Sequence, residues 1–204
     1  MRLISTDRGQ RAGFTLIELM ITLVVAGLLL LLGVPSLSEW LLNGQIRTSA
    51  ESILAGLQLA RNEAVRRNAV VRFQLVTDLT NGCALSDQGG SWIVSLDDPT
   101  GNCNNAPSDT NAPRIIQLRA AAEGGTAVTV AAQNSAGAAA TMVSFNGLGR
   151  VASGAASISR IDIDLPASVL PADRSRNLRI LVTTGGQVRM CDPTVSNATD
   201  VRFC

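Results

Sequence analysis

FTLIELMITLVVAGLLLLLGV, residues Phe14 to Val34, is an apolar run of 21 residues with a single charge, Glu18. A helix of that length spans about 31 Å, close to the roughly 30 Å hydrocarbon core of a bilayer. A secretory signal has a shorter apolar region, about 7–15 residues, and then a small-residue cleavage pattern. The sequence that follows here, PSLSEWLL (35–42), has no such pattern. Upstream, MRLISTDRGQRAG carries Arg2, Arg8 and Arg11 against Asp7, and the first charge beyond the run is Glu39. Positive charge stays cytoplasmic, so the long C-terminal part is expected across the membrane. Four cysteines, an even count, agree with an oxidising compartment there.

Elsewhere the composition excludes more than it suggests. The 204 residues carry 17 basic and 16 acidic side chains, a formal +1, so no global field selects a polyanion. Every basic residue is Arg, and Lys, His and Tyr are absent. A P-loop, which ends in Gly-Lys-Ser/Thr, is therefore excluded, as are His-bearing hydrolase triads and imidazole zinc sites. GLGRVASG (147–154) lacks the spacing of a dinucleotide fingerprint and opens no helix. Asp162 and Asp164 alternate on one strand, the pattern of exposed polar residues on a sheet rather than of a cation site. No constellation of catalytic groups emerges, so the chain reads as a non-enzyme, with no cofactor and no metal.

Beyond the apolar run, Pro35 removes a backbone donor and predicts a helix break or kink. Leu42, Ile46, Ala50, Ile53, Leu57, Ala60 and Ala64 then recur at steps of three and four, an amphipathic stripe. One long helix is expected from about 15 to 68, its first half in lipid, with Asn68 as the stop. From there the period becomes two. Strands are expected at 70–76, 92–97, 114–119, 127–131, 142–146, 161–165, 178–184 and 187–190, separated by Gly/Pro/Asn/Asp turns. Ala131–Ala140 reads as a mobile loop, Trp92 as core and Trp40 as an interfacial anchor. The fold class is α+β, an antiparallel sheet laid on one amphipathic helix.

Cys83, Cys103, Cys191 and Cys204 form no C-x-x-C pair. Three pairings are possible, and pairing of sequence neighbours is the simplest. Glu18 is the anomaly of the apolar run, because a carboxylate inside a membrane costs about 2.5–3.5 kcal/mol on insertion scales. No basic side chain lies between Phe14 and Gln45, so a partner cation has to come from another chain or from a new terminus.

Gly13-Phe14-Thr15-Leu16-Ile17-Glu18-Leu19-Met20 resembles the signal of type IV prepilins and type II secretion pseudopilins. The resemblance implies cleavage by a prepilin peptidase between Gly13 and Phe14, N-methylation of Phe14, and neutralisation by Glu18 of a neighbouring subunit's amine. It also implies a stretch at Gly27–Pro35 that opens in filaments. Residues 1–13 would be leader, 14–42 the transmembrane and polymerisation helix, and 43–204 a periplasmic, pilin-like globular domain. Implied partners are the peptidase, other pilins or pseudopilins of one filament, an inner-membrane assembly platform and the membrane itself. The protein would sit in the bacterial inner membrane as a single-pass subunit, N-terminus cytoplasmic, until it enters a pilus or pseudopilus.

Three further motifs, Ala60-Arg61-Asn62-Glu63-Ala64, Phe145-Asn146-Gly147-Leu148-Gly149-Arg150 and Gly186-Gln187-Val188-Arg189-Met190-Cys191-Asp192-Pro193, resemble the FimT/GspH branch. Some FimT proteins bind DNA through a C-terminal Gly-Arg-x-Arg loop. Here Gln187 replaces the first Arg of that motif and leaves Arg189, with Arg174, Arg176 and Arg179 nearby, as candidate DNA contacts. A DNA-binding minor pilin is thus the alternative reading, and an anchored periplasmic domain that never polymerises is a third.

Overall fold

A computed structural model of the chain describes residues 13–125, 127–152, 154 and 156–204, and leaves aside the side chains of 30–36 and 122. The leader up to residue 12 lies outside the described residues. The chain divides into two compact units, one ending at Ser38 and the other running from Glu39 to Cys204.

Helix α1 covers Leu16–Arg67. Thr15 starts it: its hydroxyl accepts the Glu18 N–H at 3.2 Å, and its carbonyl accepts Leu19 N–H at 3.1 Å. Thr15-x-x-Glu18 has the spacing of a capping box. At the other end Asn68 takes φ 49°, Asn68 N–H reaches Val65 O, and Ala69 N–H reaches Ala64 O. That pair of bonds is a Schellman closure, with Asn in the left-handed position that glycine more often fills. Helical backbone continues through Gly27–Pro35, so this stretch is closed in the single chain, where the resemblance spoke of filaments, and Pro35 does not end the helix as the sequence predicted.

In the second unit the helix buries the expected stripe: Ile46, Ala50, Ile53, Leu57, Ala60 and Ala64 are all essentially inaccessible. Among the described residues eight strands follow, β1 (Val71–Val76), β2 (Ser91–Ser95), β3 (Ile115–Arg119), β4 (Thr129–Gln133), β5 (Met142–Phe145), β6 (Arg160–Asp164), β7 (Leu178–Val182) and β8 (Val188–Cys191). They form two four-stranded sheets rather than the one expected, in the orders β3-β2-β1-β5 and β4-β6-β7-β8, and every pairing between named strands is antiparallel. The chain changes sheet after β3, after β4 and after β5, the second time through Ala131–Ala140. That segment is not a loose loop. β4 occupies its start, Asn134 Oδ1 accepts the Ala136 and Ala138 N–H groups, and Ala140 is buried.

Alternation puts Val71, Phe73 and Leu75 of β1, Trp92 and Val94 of β2, Ile161 and Ile163 of β6 and Ile180 of β7 into one core with the helix stripe. Each large apolar side chain so buried contributes about 1.5–3 kcal/mol. Gly56 lets Phe73 and Trp92 in: a Cβ there would lie 2.8 Å from Phe73 and 3.0 Å from Trp92. Trp92 Nε1–H donates to Ser52 Oγ at 3.1 Å, so the indole is buried without an orphaned donor. On the other side of the first sheet, Val76, Ile93 and Ile115 pack with Cys83 and Cys103 into a second, smaller core. A disulfide joins Cys83 to Cys103, and another joins Cys191 to Cys204.

Candidate functional site

Two groups of residues deserve the name of site, and the first is the start of α1. Gly13 is exposed, with open space around it, and Phe14 is 84% exposed. Leu16, Ile17, Leu19, Met20, Ile21, Leu23 and Val24 are each more than half exposed, a sleeve of apolar surface on all sides of the helix. Glu18 sits in the first turn, where unpaired N–H groups and the helix dipole favour an anion. Among the described residues no cation pairs with its carboxylate. Among the described residues, too, no helix is long and apolar enough to cross a membrane. With the side chains of 30–36 aside, the described apolar run is residues 14–29, short of the about 20 a span needs.

The second group is a junction of the three quoted globular motifs. Asn146 builds a closed turn: its side-chain oxygen accepts Leu148 and Arg150 N–H, and its carbonyl accepts Gly149 N–H at 2.8 Å. Arg61, from the helix, donates Nε–H to Gly149 O at 3.1 Å. Gly147 lies against Asn68, so that a Cβ would come within 3.0 Å of the Asn68 Cα. Gly186, at φ 82°, packs so closely on Gly149 that a Cβ would collide with its carbonyl oxygen. The motifs are conjoined by packing, with glycine needed where backbones touch. The turn presents Leu148, 79% exposed, at its tip.

The candidate DNA contacts do not form one cluster. Arg189 on β8 is exposed, but its guanidinium donates to Phe203 O at 2.9 Å and Cys204 O at 3.1 Å, holding the C-terminal tail. Arg179 donates to Asp162, which also pairs with Arg160 at 3.0 Å. Asp164 accepts from the Thr129 hydroxyl, and no metal-ligand cluster of His, Cys, Asp or Glu occurs among the described residues. Arg174 and Arg176 are exposed on the loop before β7, with no ion-pair partner among the described residues. Their backbone is fixed by Asn43 of α1, which donates to Arg174 O at 3.1 Å and accepts Arg176 N–H at 2.8 Å. Sequence reading missed this bracket and the Arg189 clasp, since both rest on contacts between distant residues. It also missed the Thr15 cap, although Thr-x-x-Glu was there to be read.

Electrostatics in the rest of the unit are local. In the tail, hydrogen bonds from the Arg202 side chain and backbone pull the Asp200 carboxyl down to about 2. Near the end of α1, hydrogen bonds from Arg66 and then Arg67 hold Glu63 below its ordinary value despite burial that opposes them.

Residues 49–186 match the family described as type II transport protein GspH. The chain belongs to the GspH family. Residues 8–34 match the prokaryotic N-terminal methylation motif, a span that includes Gly13, Phe14 and Glu18. Two crystal structures of the type IV minor pilin FimU from Pseudomonas aeruginosa are similar, at 14% and 15% identity, with TM-scores of 0.43 and 0.41. The matches cover 71% of this chain and 90% and 87% of the FimU chains. No curated protein matches. The GspH match contains the Arg61–Gly149–Gly186 junction and ends at Gly186, so Arg189 and the tail with its disulfide lie beyond it.

Proposed function

We propose that this GspH-family chain is a structural subunit, a minor pilin or pseudopilin, of a type IV-like filament. Its apolar helix, Phe14 to Val34, anchors it in the bacterial inner membrane with the N-terminus cytoplasmic and the second unit periplasmic. A prepilin peptidase cuts after Gly13 and methylates Phe14, and the helix then passes from lipid into a filament with other pilins or pseudopilins, through an inner-membrane assembly platform. The observation that carries this reading is the exposed apolar sleeve with one carboxylate at its start, Glu18, and no cation beside it among the described residues. In lipid such a charge is costly until a cation reaches it, and a neighbour's new amine supplies one; a buried pair of that kind is strongly destabilised by removing either partner.

The capping-box spacing would give the Glu18 side chain a competing role, and the experiment separates the two. Glu18→Gln keeps a capping-box side chain but removes the charge. The expected outcome is that Glu18→Gln, like Glu18→Ala, is cleaved yet absent from sheared filaments, with methylated Phe14 at the mature N-terminus by mass spectrometry. Normal incorporation of Glu18→Gln would reduce Glu18 to a cap and remove the charge argument.

A further inference from the structure

Arg174 and Arg176 are held in an unusual place for free cations. Their loop is locally closed: Arg174 and Ser175 N–H groups both return to Pro171 O, at 2.9 and 3.0 Å. It is then tied at both arginines to the side chain of Asn43. Asn43 stands three residues after Trp40 on α1, so the two share a helix face. Trp40 is 70% exposed, and Val169, on the same loop segment as the arginines, 42%. Trp40 itself follows the apolar run by six residues. The helix face and the loop tied to it thus carry an exposed indole, an aliphatic side chain and two guanidinium groups, next in sequence to the segment proposed to lie in lipid. That is the composition of an interfacial surface, where indole rings sit at headgroup level and guanidinium forks meet phosphate oxygens two at a time.

We infer that Arg174 and Arg176 bind phospholipid phosphates, docking the base of the second unit on the membrane surface before assembly. The inference rests on the proposed membrane anchorage. Two acids flank the patch, Glu39 before Trp40 and Asp173 before Arg174, and neither forms an ion pair with the arginines. They offset the net charge, so the attraction comes from hydrogen-bonded phosphate rather than from a broad anionic field. The same chemistry would suit a nucleic-acid backbone. Place in the sequence decides for lipid: Asn43, which ties these arginines down, stands nine residues after the apolar run proposed to lie in lipid, whereas the Arg189 guanidinium is occupied by the tail.

The test uses the full chain, in phosphatidylcholine nanodiscs and in dodecyl maltoside micelles, which carry no phosphate. Amide exchange across residues 172–177 should be slower in nanodiscs by about fivefold, the order of the net contribution of one hydrogen bond. The double variant Arg174→Gln/Arg176→Gln should exchange alike in both. Equal exchange of the wild type in the two media, or slowing that survives the double substitution, would overturn the inference. So would fluorescence anisotropy in which the double variant loses duplex DNA binding while exchange ignores the lipid; the arginines would then be DNA contacts. A chain that fails to enter nanodiscs at all would instead refute the anchorage itself, a result distinct from equal exchange in chains that have entered.

Discussion

The two halves of α1 use the same apolar alphabet for opposite ends. In the first, Leu, Ile and Val occur on every side, and those among the described side chains are exposed. In the second, buried apolar residues fall on one stripe, mix large and small, and vanish beneath two sheets. Width explains the difference. A stripe can be covered by sheets packed on one side of a helix, whereas an all-round apolar surface needs lipid or other helices. Size completes it: Ala50, Gly56, Ala60 and Ala64 are small where Phe73, Trp92 and Phe145 share the core with the stripe.

Matched truncations should expose this contrast most sharply. Leu57→Ala removes a fully buried side chain and is expected to cost about 2–5 kcal/mol, read by urea unfolding of the full chain in detergent. Leu23→Ala, from the exposed sleeve, should stay within about 0.5 kcal/mol in the same assay. Equal losses would mean that the first half is already part of the folded core.

A smaller effect probes the second core. Replacing Cys83 and Cys103 together by Ser opens a loop of 20 residues' separation and should cost about 3 kcal/mol on the chain-entropy account. The loss should appear first as faster exchange in β2 and β3, which line that core, with α1 little changed.

The smallest effect lies on the helix surface. Glu63 is held below its ordinary value of 4.5, first by its hydrogen bond to Arg66. A depressed carboxyl contributes stability above its unfolded value and loses it as pH falls through the folded one. Acid titration of unfolding should therefore show a decline beginning near pH 4.5 that Glu63→Gln reduces, and salt should shrink the difference because Arg66 is largely exposed. A variant that declines identically would assign the acid sensitivity to other carboxylates, such as Asp97 beside Arg114.

Local rules made much of this legible in the sequence. The stripe from Ile46 to Ala64, the Asn68 stop and the period-two segments each depend on residues a few positions apart, and the strands lie within a few residues of where they were expected. β4 fell two residues late, because residues 127–132 are too uniform in Ala, Val and Thr to mark the strand's own ends. Partition into two sheets was not legible: alternation states which side of a strand is buried, and says nothing about whether β5 pairs with β1 or with β4. A glycine inside a helix is a weak point by propensity alone, whereas Gly56 is where Phe73 and Trp92 approach the backbone closely. At the candidate sites, Gly13, Phe14 and Glu18 are carried by one contiguous motif, while the fates of Arg174, Arg176 and Arg189 depend on Asn43 and on residues 203 and 204.

The Arg189 clasp has a consequence for crowding. β8 pairs with β7 on one flank only, and its other flank would be an open ladder able to recruit a foreign strand. Asp192 N–H bonds Arg202 O, Asp192 bridges Phe203, and the Cys191–Cys204 bond stitches the tail down beside it. The last strand is thereby kept from templating edge-to-edge aggregation.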